Sequence, residues 1–124
     1  MRLSNKAIFF FILLIGVLLR FWEYADIPYT HDEFSALFRT DYISFSDLIE
    51  YGVKPDGHPA GVQVFMYYWV QWFGEAEWVV KLPFTLVGIA SLWLAYLVAK
   101  SWFSETAALL VVAVLAVCQY HVMY

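Results

Sequence analysis

Residues 82–99, LPFTLVGIASLWLAYLVA, form an uncharged run of 18 bracketed by Lys81 and Lys100. As a helix such a run is about 27 Å long, close to the ~30 Å hydrocarbon core of a bilayer. Pro83 fits the first turn of that helix, where a missing N–H is harmless. Three more runs follow the same logic. Residues 3–22 carry charge only near their ends, at Lys6 and Arg20, whose long side chains can snorkel to headgroups. Residues 58–74 end in MYYWVQWFG, a Tyr and Trp cluster suited to a membrane interface. The last run leads to the C-terminus. The expected fold is therefore an all-α polytopic transmembrane helical bundle of about four spans, at 3–22, 58–74, 80–100 and 105–123. Gln119 and His121, polar residues within the last run, are expected to face the bundle, with a place at the interface as the alternative for His121.

Composition supports this class, because 63% of the chain is hydrophobic and 15% charged, against roughly a quarter charged in soluble domains. The few bases are scattered, which excludes a nucleic-acid-binding footprint. Cys118 is the lone cysteine. It excludes an intrachain disulfide and reads as a small buried hydrophobe. Arg2 and Lys6 place the N-terminus in the cytoplasm and residues 23–57 outside. A cleaved signal peptide is the rival for the first run, but FWEYADIP offers no small-residue cleavage site.

The charge is concentrated in the outer loop, where residues 23–56 hold eight acids and two bases. Thr30 and Glu33 fit a capping box, with Phe34, Leu37 and Phe38 at i, i+3, i+4 spacing as the apolar face of a short surface helix. Asp47 with Glu50 suggests a second short helix. KPDGHPAG is punctuated too often by Pro and Gly for regular structure and reads as a turn. The adjacent Asp32 and Glu33 stand out. Neighbours on a helix point about 100° apart, so the two carboxylates cannot aim at one atom. If Glu33 turns back to the Thr30 N–H, Asp32 is left to face a cleft. A helix N-terminus favours the ionised carboxylate, and the neighbouring charge opposes it.

The order of these features resembles the C-type (GT-C) membrane glycosyltransferases, and more narrowly the branch of protein O-mannosyltransferases and lipid A aminoarabinose transferases. The features are a first span, a loop opening with Asp32-Glu33, a DGHP loop end, a WFG stop, and EWVVKLPFTLVGIASLWLAYLVAK. The chain departs from that pattern at Ala60 and Gly61, where Pro and Leu are usual, and at Lys81 and Thr85, where Arg and Ser are common. Members of the family have about a dozen spans, so the resemblance implies the N-terminal part of a longer enzyme. It also implies a polyprenyl-phosphate-linked sugar donor, an acceptor hydroxyl on a lipid, glycan or protein, and Asp32 as the general base.

Such a base makes chemical sense. The phosphate leaves as a stabilised anion, whereas the acceptor hydroxyl needs a proton acceptor, worth ~10²–10⁴ in rate. Glu33 is the second catalytic candidate. Asp56 and His58, closing the loop, are candidates for substrate contact, although Asp56-Gly57 is also ordinary turn chemistry. His31, Asp32, Glu33, Asp56 and His58 lack fixed metal-ligand spacing, so no metal and no cofactor is expected. Lys81 is expected to anchor a span end; it would serve a lipid phosphate only on the loop's side of the membrane. Two other classes remain in view: a non-catalytic membrane subunit docking through the acidic loop, and a transporter fragment. The uncharged span centres argue against the transporter.

Overall fold

The computed structural model describes residues 4–22, 24, 28, 29, 31–55 and 60–118, and only the backbone of residues 31–33. All regular structure among the described residues is helical. The helices are α1 (Asn5–Phe21), α2 (His31–Phe38), α3 (Phe45–Asp47) running into a π-helical segment (Leu48–Val53), α4 (Ala60–Phe73), α5 (Glu77–Trp102) and α6 (Glu105–Val117). They form two compact units, Met1–Tyr24 with Leu82–Tyr124, and Ala25–Lys81.

In the first unit α1, α5 and α6 pack around Phe9, Leu92, Tyr96, Ala99, Ala108, Val112 and Ala116. The α5 residues recur at i, i+4, i+7 and those of α6 at i, i+4, i+8, one stripe on each helix. Pairings along α1 fix the helix directions. Phe9 lies against the Tyr96 ring, with centroids 4.2 Å apart. A Cβ at Gly16 would stand 2.8 Å from Leu92 Cδ1. One turn further on, Arg20 Nε lies 3.4 Å from where a Gly88 Cβ would be. Rising numbers on α1 meet falling numbers on α5, so the two helices are antiparallel. Beyond the end of α1, Tyr24 makes a side-chain hydrogen bond with Thr85 and continues the series. Burial pushes the Tyr24 phenol above its usual range. Helix α6 runs parallel to α1, since Asn5 bonds Glu105 and Gly16 approaches Ala116. At the same end Tyr96 Oη donates to Glu105 Oε1 at 3.1 Å and Lys100 Nζ at 3.2 Å.

Helix α5 has 26 residues and spans about 39 Å at 1.5 Å per residue. Among the described residues it is the one helix long and apolar enough to cross a membrane unaided. Helix α1 has 17 residues, α4 has 14 and α6 has 13.

Four details differ from the sequence reading. Arg20 does not snorkel: it is 5% exposed, and its Nη1 donates to the Gly16 carbonyl at 2.9 Å. The absence of side chains at Gly16 and Gly88 leaves it room, and a carbonyl acceptor offsets part of the cost of leaving water. Pro83 lies inside α5 rather than in its first turn, because the helix already begins at Glu77. The loop helix is capped three residues earlier than expected. Ser44 Oγ accepts from the Asp47 N–H at 3.1 Å and donates to Asp47 Oδ2 at 2.7 Å, so Asp47 is the partner of the cap and not the cap. Cys118, at the C-cap of α6, is exposed rather than buried.

In the second unit Leu48 is fully buried. The π-helical turn closes tightly on the chain after α2, since a Cβ at Gly52 would meet the Arg39 carbonyl at 2.9 Å. Helix α4 buries Gln63, Met66 and Tyr67 and stacks Tyr68 on Phe45, with centroids 6.0 Å apart. It ends at Gly74, whose φ of 92° suits the residue that stops a helix.

Candidate functional site

Helix α2 begins at His31, which puts Asp32 and Glu33 in its first turn. There the helix dipole stabilises negative charge. The Thr30 half of the expected capping box lies outside the described residues, as do Asp56, His58, Gln119 and His121. Of the four site residues expected from sequence, the structure thus describes the backbone of two.

What fixes the approach to α2 is Tyr29, two residues upstream. Its phenol donates to the Glu75 carbonyl at 3.0 Å across 46 residues of sequence. Its ring also lies 5.6 Å from Lys81 Nζ, within reach of a cation–π attraction. Glu75 lies two residues before α5 and Lys81 sits near its start, so the entry to α2 is held at the beginning of the longest apolar helix. Neither contact is visible from sequence. The one signal was the place of Tyr29 beside the acid pair. Lys81 lies one turn inside α5 and beside a residue of the loop, which the four-span arrangement did not allow.

The remaining described acids of the loop have structural partners or open surroundings. Asp47 is engaged by Ser44, and Glu50 pairs with Lys54 along the helix. Among the described residues no three His, Cys, Asp or Glu side chains gather as a metal site. The arrangement can supply a carboxylate at a helix start and a cation near the first turns of a membrane helix. A carboxylate can take the proton of an alcohol nucleophile, and a cation can balance charge on a phosphate leaving group.

No curated protein and no solved structure shows a significant match. The family model described as dolichyl-phosphate-mannose-protein mannosyltransferase matches residues 57–124, more than half of the 124-residue chain. The match takes in His58, Lys81, α4, α5 and α6, and begins beyond Asp32, Glu33 and Asp56. On that match the chain belongs to the dolichyl-phosphate-mannose-protein mannosyltransferase family, a family of membrane-integral glycosyltransferases.

Proposed function

We propose that this chain contributes to a glycosyltransferase that moves a sugar from a polyprenyl-phosphate donor to an acceptor hydroxyl at the outer membrane face. The family match carries the reading. It is supported by the acid-bearing turn of α2, which follows Tyr29 at the start of α5. In this mechanism Asp32 accepts the proton of the acceptor hydroxyl as its oxygen attacks the anomeric carbon. The bond to phosphate breaks with inversion, and the polyprenyl phosphate departs as an anion. Glu33 orders the start of α2 and holds the backbone of position 32. Asp56 and His58 contact substrate from the end of the loop. Lys81, on the same side as Tyr29, balances charge on the departing phosphate.

The test is sugar transfer by the full-length protein in proteoliposomes with a polyprenyl-phosphate-sugar donor. Asp32→Asn removes the base and keeps the size, so transfer should fall while membrane insertion stays unchanged. Undiminished transfer would remove Asp32 from the mechanism. If residues 23–57 instead serve a non-catalytic subunit, the same substitution changes partner recovery and leaves every transfer rate alone.

A further inference from the structure

Tyr29 stands between the two groups that the proposed reaction asks to act together. Asp32 is the second residue of α2, three positions beyond Tyr29. A chain advances at most ~3.6 Å per residue, so the two Cα atoms lie within about 11 Å of each other. On its other flank the Tyr29 ring lies 5.6 Å from Lys81 Nζ. All three residues belong to the second unit. A displacement at an anomeric carbon needs its base and its phosphate-balancing cation on opposite sides of the reacting atoms. With ~2.6–3.2 Å from base to alcohol oxygen and ~3–3.5 Å from that oxygen to carbon, the two groups end on the order of 10 Å apart. That is the scale of separation that one tyrosine between them can set.

The bond from the Tyr29 phenol to the Glu75 carbonyl has the character of a locator. It is exposed to solvent, where a neutral hydrogen bond competes with water and contributes little to stability. Yet it joins segments 46 residues apart, and its acceptor is a backbone atom two residues before α5, which no side-chain rotation can move. The ring adds a second constraint, because an ammonium near an aromatic ring is attracted by its quadrupole, and Lys81 has a long stem with many rotamers to restrict.

We infer that Tyr29 is a positioning residue of the transfer reaction. Its hydroxyl fixes the base-bearing turn of α2 against the start of α5, and its ring sets where the Lys81 ammonium meets the leaving phosphate. It acts through Asp32 and Lys81 and not on the sugar itself. The inference rests on the proposed function and adds to it a residue that ties the base to the cation.

The test is a cycle with Asp32→Asn in the full-length protein in proteoliposomes, with dolichyl-phosphate mannose as donor. Tyr29→Phe keeps the ring and deletes the bond to Glu75. It should lower kcat about 10–100-fold, since ~1 Å of misplacement can cost ~10² in rate, and leave the donor KM and the melting temperature nearly unchanged. Tyr29→Leu deletes the ring as well and should raise the donor KM in addition. In the Asp32→Asn background Tyr29→Phe should cost nothing further, because a base that is gone cannot be misplaced. Unchanged kcat in Tyr29→Phe while Asp32→Asn is impaired would overturn the inference and leave the proposed function standing. The same fold-loss in both backgrounds would also overturn it, as the mark of a residue that only holds the fold. Undiminished transfer by Asp32→Asn would remove Asp32 from the mechanism and this inference with it. Tyr29→Trp, whose N–H has a different reach, repeats the cycle should Tyr29→Phe not accumulate.

Discussion

The indole Nε1 of Trp69 donates to the Val79 carbonyl at 2.9 Å. Val79 is the residue four before Pro83, which has no N–H to give it. A proline inside a helix leaves one carbonyl without its helical donor. Here a side chain from α4 supplies the donor, so the position of Pro83 well inside α5 is satisfied locally and the junction of α4 with α5 gains a fixed point.

That relationship predicts a coupling. Trp69→Phe keeps an aromatic ring and deletes the N–H, and should lower stability by about 1–3 kcal/mol because the Val79 carbonyl is then unsatisfied. In a Pro83→Ala background the helix provides its own N–H, and the same substitution should cost about 1 kcal/mol less. Thermal unfolding of the four proteins in detergent gives the cycle; strictly additive effects would sink the account.

Gly16 is expected to be the least replaceable glycine of the first unit. An added Cβ meets Leu92 Cδ1 at 2.8 Å, Ala116 Cβ at 3.3 Å and Arg20 Nη1 at 3.3 Å, and Leu92 is fully buried with no room to retreat. Gly16→Ala should therefore destabilise by about 1–3 kcal/mol, the usual cost of overpacking. Gly61, with nothing within 4 Å of its added Cβ, should tolerate alanine or gain a few tenths of a kcal/mol from helix propensity, ~1 kcal/mol at most. Equal melting temperatures for the two variants would contradict the packing described.

Ser44 should behave as a helix cap. Ser44→Ala removes both the acceptor for the Asp47 N–H and the donor to its carboxylate, for a loss of about 1 kcal/mol. Ser44→Asp restores an acceptor but places it against Asp47, so it should recover only part of that loss. Faster amide exchange at residues 45–53 in the alanine variant is the direct readout, and unchanged exchange would refute the cap.

For the reaction itself, Asp32→Asn should lower transfer by ~10²–10⁴, the usual worth of a general base. Glu33→Gln retains hydrogen-bonding capacity at the start of α2 and should lower it far less. Equal losses in the two variants would assign Asp32 a structural part.

How much was legible in advance depends on whether the cause was local. The uncharged run 82–99 announced α5, and the acid pair beside a Phe-Leu-Phe pattern announced α2, because length and periodicity are properties of neighbouring residues. The start of α5 at Glu77 was missed, since its first turn mixes charged and apolar residues, and Pro83 was misread with it. Ser44 lost to Asp47 as the expected cap because both fit the same short pattern, and only backbone geometry separates them. Arg20 was read from its place in sequence, whereas its burial depends on two glycines, one of them on another helix. Composition made the aromatic run 58–74 look like a span. The helix found there has 14 residues, Ala60–Phe73, and a contact such as that of Tyr29 with Glu75 leaves no trace in hydropathy. For the site, residue type and order suggested Asp32, Glu33, Asp56 and His58, while Tyr29 and the orientation of Lys81 came from tertiary contact alone.

The bond between Tyr29 and Glu75 also orders events during synthesis. Forty-six residues separate its partners, so a nascent chain that has already delivered α1 and α2 must wait for the start of α5 before this clasp can form. A ribosome adding ~5–20 residues per second leaves that acid-rich stretch unfastened for several seconds. During that interval the greasy face of α4 emerges without its final neighbours, which makes this the moment in the protein's life when a chaperone or the insertion machinery has most to protect.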